Sequence, residues 1–461
     1  MTDTDETPPE PTPEFHPPDE ALLNYLGSLP IVDAGLLLHM LQCRRCGNRA
    51  RLDLQPAAGA SGVRRLARFL GVDYSGVLTR REGEVKKTAA LLKRRQAAAE
   101  PLIAKVMATP PDRRVEELRE VARVDPWAVG WAFLRASREA LPGNPGRAES
   151  LARLAGVAIE EMDPVQHPAG LSEAFLAEAL CQVAEACRLR GDLAQAEEEL
   201  GRATEHLIGA TDSTERADLS RFLARLRRDQ RRWDEALALF GRASDLLSSL
   251  GRLYDAAEAL AEKGEVELWM LDPDEALETF SMADSLLPQN PPTGLVLRIH
   301  QGIARSYAYQ NRFARAWQDL AAVRRRFALG EDTVEGLALT LLDGELAEGE
   351  GEVKVAEERL WRAWQGLFAL GEPHLAAIAA IQLARLLLTR DRADDFAELA
   401  SLIAPIFDAK GLHPSLLAAL AVFRTAVRKG KVTVPLATAV LNHLKIGLSN
   451  PSLSFRAPAV A

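Results

Sequence analysis

Cysteine is scarce in this chain. Its 461 residues hold four, Cys43, Cys46, Cys181 and Cys187. A secreted disulfide scaffold would be shorter and much denser in cysteine, so a reduced, cytoplasmic protein is expected. Aromatic residues make up only 6%, and Ala, Leu, Arg and Glu dominate instead. These are strong helix formers. No apolar run reaches the roughly 18 residues of a membrane helix. The nearest, 375–388, is interrupted by Gln382 and Arg385. The first fifteen residues, MTDTDETPPEPTPEF, have neither a basic start nor an apolar stretch, which argues against a secretory leader. Nucleotide and hydrolase motifs are missing as well: there is no G-x-x-x-x-G-K-[ST], H-E-x-x-H, G-x-S-x-G or strand-borne G-x-G-x-x-G. The glycines of GEGEV belong to a repeat turn, and the carboxylates and the eight histidines are dispersed. A protein that is not an enzyme is expected.

What the chain does have is a period. Ala196, Ala236, Ala276, Ala316 and Ala356 stand 40 residues apart, and Phe396 closes the series. Each alanine is followed at four and seven by further core residues: Leu200 and Ala203, Phe240 and Ala243, Phe280 and Ala283, Leu320 and Val323, Leu360 and Ala363. That spacing keeps all three on one helix face. Twelve residues before each anchor lies another small residue, in the order Ala184, Ala224, Gly264, Ala304, Gly344 and Ala384. Two facing rows of small residues let paired helices approach closely, with Phe or Leu filling the gaps. The turns between them read RGDLAQA, QRRWDEA, LDPDEA, QNRFARA, GEVKVA and RDRADDF, each expected to place Gly, Asp, Asn or another polar residue at the corner. Cys181 and Cys187 fall in a first helix and are expected to be buried there as small apolar filler. The seven tryptophans fall at packing positions.

This pattern resembles the tetratricopeptide repeat over about 171–403, and more loosely over 125–448. The common unit of that family has about 34 residues. The six extra residues here imply longer helices in the same architecture. The expected fold is all-α: an α-solenoid of antiparallel helix pairs, preceded by a small helical zinc-finger-like unit. Its parts are a tail (1–15), the finger unit (16–52), a linker and basic connector (53–124, with 53–63 the linker), the solenoid with a C-terminal cap (125–448), and a second tail (449–461). Within the connector a break is expected at Thr109-Pro110-Pro111, with Asp112 capping the helix that follows.

In the finger unit His39, Cys43 and Cys46 stand at i, i+4 and i+7, on one helix face, so an imidazole and two thiolates converge. Zinc asks for four such ligands. The segment resembles the zinc-binding anti-sigma-factor domain, whose early His-Pro and His-x3-Cys-x2-Cys are matched by His16, His39, Cys43 and Cys46. The resemblance implies a structural zinc ion and a sigma factor as partner. Leu36, Leu37, Leu38, Met40 and Leu41 depart from the charged helix usual there. Such an apolar helix suits docking on the repeats as much as gripping a sigma factor. The alternative is a pair of reduced thiols beside a surface histidine.

Net charge is −9, yet from Cys43 to Arg95 there are 14 Lys and Arg against 4 Asp and Glu. The stretch 64–95 is a candidate for nucleic-acid contact. With only Phe69 and Tyr74 interleaved, a basic helix lying on acidic repeats is the plainer reading. In the solenoid, Arg221, Arg225 and Arg228, and again Arg298, Gln301 and Arg305, recur at helical spacing in first helices. By analogy with tetratricopeptide arrays they line a groove suited to the carboxylates of a peptide or protein partner. The alternative is a solvated face stabilised by its own charges. The functional expectation is a cytoplasmic, regulatory interaction scaffold. The other classes weighed are a ligand sensor and a nucleic-acid-associated regulator.

The zinc reading has a direct check. Protein purified without chelator is expected to carry zinc, and chelation is expected to melt 16–52, because site formation and folding are coupled. A metal content near zero would exclude it.

Overall fold

A computed structural model of the chain describes residues 75–123, 125–163, 169–208, 214–288, 291–327, 329–403 and 414–447, with Phe455 and Ala457. The expected tail 1–15, the finger unit with His16, His39, Cys43 and Cys46, and the linker 53–63 lie outside these residues. Among the described residues there are eighteen α-helices and no strand, and no helix is long and apolar enough to cross a membrane. The chain divides into two compact units, 1–93 and 94–461. The described part of the first is the opening of α1 (Ser75–Ala108).

In the second unit the chain breaks where two prolines forbid helix continuation. α1 ends at Ala108, a single 3₁₀ turn follows over Pro111–Arg113, and α2 is Arg114–Ala122. Asp112 does not cap α2, contrary to expectation. It sits inside the 3₁₀ turn, which closes through Arg113 N–H donating to the Pro110 carbonyl at 2.9 Å, and no side chain caps the helix. The first hairpin is α3 (Pro126–Ala140) and α4 (Pro145–Glu160), capped by Asp125 and Asn144 with proline at the first helical position of each. Its core reaches back before residue 125, since Ala99, Val106, Leu118 and Val121 pack in it with Phe133 and Leu151. Arg95 donates to both Asp125 oxygens at 2.6 Å and stacks over Trp127 at 4.9 Å, so this member of the basic stretch is already committed.

Six hairpins follow in register: α5 (Ala169–Leu189) with α6 (Leu193–His206), α7 (Thr214–Asp229) with α8 (Trp233–Ser249), α9 (Leu253–Trp269) with α10 (Pro273–Ser285), α11 (Thr293–Tyr309) with α12 (Phe313–Phe327), α13 (Val334–Glu350) with α14 (Val353–Ala369), and α15 (Pro373–Thr389) with α16 (Ala393–Leu402). The fold is a TPR-like α-solenoid. α9, α11, α13 and α15 each have 17 residues, which accommodates the longer repeat. Every hairpin turns in the same way. The left-handed residue is Gly191, Arg231, Leu271, Asn311, Gly351 or Asp391, again 40 apart. The next residue donates its N–H to the carbonyl five back, as in Asp192 to Cys187 and Asp272 to Glu267, both at 3.0 Å. This is a Schellman closure, which satisfies the last carbonyls of the first helix. The corner of the third turn is therefore an apolar leucine and not a polar residue as expected. Asp272 is used one step later, to cap α10.

The alanine anchors Ala196, Ala236, Ala276, Ala316 and Ala356 all have 0% exposure. Opposite them the small residues of the first helix are equally closed. Two are glycine because a side chain of the paired helix fills the place of a Cβ, Leu360 at Gly344 and Phe280 at Gly264. A Cβ on Gly264 would lie 2.8 Å from Phe280, and one on Gly302 would collide with the same ring. Phe280, fully buried, is thus wedged between α9 and α11. Cys181 and Cys187 are buried and unbridged, and burial pushes the Cys181 thiol up, as fits apolar filler. The core is a chain of successive clusters that bridge neighbouring hairpins, the last running from α13 to α18, as fits a nearest-neighbour array.

The C-terminal end departs from the repeat. α17 (Pro414–Arg428) leads into α18 (Val434–Gly447), and α18 packs along α15. Leu444 offers its carbonyl to His374 Nε2 at 2.8 Å. Phe455, expected to belong to a frayed tail, instead packs edge-on against His443 with ring centres 5.2 Å apart. Its ring gains burial that a polar tail could not.

One tie between hairpins is pH-sensitive. His300 on α11 lies 3.0 Å from Asp319 on α12 and 3.4 Å from Asp284 on α10. Burial alone would lower its pKa, but the two carboxylates outweigh burial and raise it to about 9. A raised pKa gives stability that is complete below the ordinary imidazole value of about 6.5. That stability is lost as pH rises through 9. The thermal midpoint is expected to fall between these values in the wild type, and His300→Gln is expected to flatten that fall. An equal slope in both proteins would exclude the tie.

Candidate functional site

The first helices of successive hairpins pack on one another, α5 on α7, α9 on α11 and α11 on α13. Their shared wall bounds a cavity of about 1700 Å³. Residues 141–146, from the end of α3 into α4, and Asn442, Lys445, Ile446 and Gly447 of α18 also line it. Along this wall runs a charge alternation at the repeat interval: Glu185, Arg225, Glu265, Arg305, Glu345 and Arg385 stand 40 apart.

The pairs it forms are close and, in the first half of the array, buried. Arg188 grips Glu185 through two nitrogens at 2.7 and 2.9 Å and also donates to Asp229. Arg225 holds Glu262 at 2.7 and 2.5 Å and reaches back to Glu185 at 3.3 Å. Arg221 donates to the same Glu262 at 2.9 Å and lies 2.8 Å from Glu258. Arg228 meets Asp229 at 3.0 Å and stacks over Trp269 at 5.6 Å. Arg298 holds Glu265 at 2.5 and 2.8 Å. Burial would raise the carboxyls of Glu185 and Glu262, but the guanidiniums win. Glu185 is brought down to about 2 by Arg188, Arg225 and Arg228, and Glu262 is held well below the usual range by Arg225 and Arg221. In the same way Arg225 overcomes its burial and stays charged on account of Glu262.

Farther along, the compensation thins. Arg305 reaches Glu345 only at 3.4 Å, and Lys445 of α18 lies 2.9 Å from the other oxygen of the same carboxylate. Two cations with side chains 37% and 31% exposed thus share one anion. Gln301 lies one turn before Arg305 on the same wall, and Tyr309 one turn after it.

Of the residues expected to line a groove, Arg225, Arg228, Arg298, Gln301 and Arg305 all border this cavity, and Arg221 does not. The guanidiniums of Arg221 and Arg225 are engaged by carboxylates from neighbouring hairpins, whereas Arg228 pairs with Asp229 of its own helix, so the set of cations is not open. The sequence reading passed over Glu345, Lys445, Tyr309 and Leu271. The alternation of sign at the repeat interval would have found Glu345, whereas Lys445 lies 100 residues beyond its partner and leaves no periodic trace. Among the described residues no cluster of His, Cys, Asp and Glu could hold a metal ion.

No protein-family model matches the chain, and no curated protein matches it. Solved structures do. A Rap protein complexed with Competence and Sporulation Factor is 13% identical, covering 69% of this chain and 87% of its own, with a TM-score of 0.48. BtubC from P. vanneervenii is 20% identical over 51% of this chain and 91% of its own, with a TM-score of 0.39. A kinesin light chain from Podosopora anserina with nearly identical TPR-like repeats is 16% identical over 42% and 95%, with a TM-score of 0.39.

The buried pairs can be tested for their structural weight. Glu262→Gln removes the buried carboxylate that Arg221 and Arg225 share and leaves them only Glu258 and Glu185; breaking a buried pair in this way costs about 3 kcal/mol. A clearly lower thermal midpoint is expected, and an unchanged one would show that the pairs contribute nothing to the fold.

Proposed function

We propose that this chain is a non-enzymatic interaction scaffold, regulatory in role, whose groove holds an acidic peptide or protein segment. The observation that carries this reading is the shared anion at the end of the wall. Arg305 and Lys445 divide Glu345 between them, so a second carboxylate entering there would complete both cations without displacing a buried pair. The neutralised guanidiniums of α7 and of Arg298 on α11 would shape the groove and take little part in binding. Gln301 would add an uncharged donor. Charge-assisted hydrogen bonds of this kind are each worth about 1.5–3 kcal/mol.

The finger unit supplies a second reading, supported by the His-Pro and His-x3-Cys-x2-Cys spacing of His16, His39, Cys43 and Cys46. We propose that these hold a structural zinc ion. The resemblance to the anti-sigma domain makes a sigma factor the partner to try first at that unit.

For the groove, a fluorescein-labelled glutamate-rich peptide titrated into the full chain is the probe. Arg305→Gln is expected to weaken it about tenfold and to flatten its salt dependence. The half-exposed position spares the buried network, so the variant is expected to keep its thermal midpoint. Equal affinity of wild type and variant would remove the groove reading.

A further inference from the structure

Leu271 combines two features that the fold does not require. It has a left-handed backbone, φ 61°, and it is 73% exposed. A left-handed residue with a Cβ costs about 1 kcal/mol or more. At the five equivalent corners the chain places Gly191, Arg231, Asn311, Gly351 and Asp391, so the turn itself asks for no leucine. Lone exposed apolar residues are ordinary on a protein surface. This one has company: Tyr309, 58% exposed, closes the next first helix, and Leu271, Tyr309 and Trp269 all border the groove. The two turns are tied together by Gln310, whose side-chain amide donates to Asp274 at 2.7 Å and to the Pro273 carbonyl at 3.4 Å. The result is a fixed apolar ledge at the rim of a charged groove.

The ledge lies at a defined distance from the cation pair. Arg305 and Tyr309 are four residues apart on α11, a rise of about 6 Å. In an extended peptide, side chains two residues apart face the same way and are separated by about 7 Å. We infer that the groove reads an extended motif in which an acidic residue and a bulky apolar residue are separated by one residue, the carboxylate at Arg305 and Lys445 and the apolar side chain against Leu271 and Tyr309. This rests on the reading of the groove given above and adds the chemistry of its ligand. The cationic surplus over Glu345 selects the acid, and the ledge selects its neighbour.

The probe is a fluorescein-labelled peptide carrying Trp-Ser-Glu-Ser-Trp in a Gly/Ser frame, which presents the spacing in both chain directions. Its controls replace both tryptophans by serine, or move them next to the glutamate. The wild type is expected to bind the spaced peptide about tenfold more tightly than either control, since burying one large apolar side chain is worth that much. Leu271→Gly is expected to abolish this preference while leaving the serine control unchanged. The substitution also relieves the left-handed strain, so the thermal midpoint is expected to hold or rise. Because the readout is a ratio of two peptides on one protein, a change in stability cancels. Tyr309→Ser is expected to act in the same direction. If the wild type binds all three peptides equally, or if Leu271→Gly keeps the preference, the ledge has no such role and the groove reading stands. If the wild type binds none of them, the groove reading falls and the ledge with it.

Discussion

In five of the six hairpins in register the seam between the two helices is anchored on a fully buried alanine, and the other features of the second unit depend on the close approach this allows. Alanines with no exposed surface face alanine or glycine across the hairpin, and Phe240, Phe280 or Leu360 fill what remains. Close-packed interiors respond to a single added methylene. A seam this tight therefore fixes the angle of each pair and repeats it, which brings the first helices into one wall. Had the anchors been leucine, the helices would stand farther apart, and the side chains of α7, α9 and α11 would not meet across repeats at ion-pair distance.

Those cross-repeat ion pairs follow from the seam and add specificity to it. Buried pairs seldom add net stability, because desolvation offsets much of their attraction. What they do is penalise every mismatch of register. Glu262 accepts from Arg225 and Arg221, both one hairpin away. A helix slipped by one turn would leave these guanidiniums buried without an anion. In a solenoid each hairpin touches only its neighbours, so such local rules of registry replace the single core that a globular domain would use.

The fold was legible in the sequence because small residues cannot be replaced at a tight seam and so leave a period behind. The groove was legible in part. Its cations stand at helical spacing on first helices, as Arg225, Arg298 and Arg305 do, but their state depends on carboxylates 33 to 40 residues away that belong to different helices. Charge pairing across repeats shows in a sequence only when sign is read at the repeat interval. Other features left no such mark. The left-handed corner at Leu271 is set by the backbone closure common to the hairpins, whatever side chain stands there, and Lys445 reaches Glu345 because α18 leaves the repeat pattern to lie along α15.

The groove is consequently uneven along its length, and on the reading proposed above that unevenness would give it selectivity. A wall of open guanidiniums would attract any polyanion and discriminate poorly. Here most cations are satisfied from within, which removes them from competition and stiffens the wall that carries them. Attraction is left where one carboxylate serves two cations, and apolar contact is left where a leucine occupies a corner that glycine or asparagine serves elsewhere. A ligand gains from both only if its own charge and apolar group are spaced as they are. Rigidity supplied by the internal pairs is thus a condition for reading that spacing, since a wall free to flex would accept either group without the other.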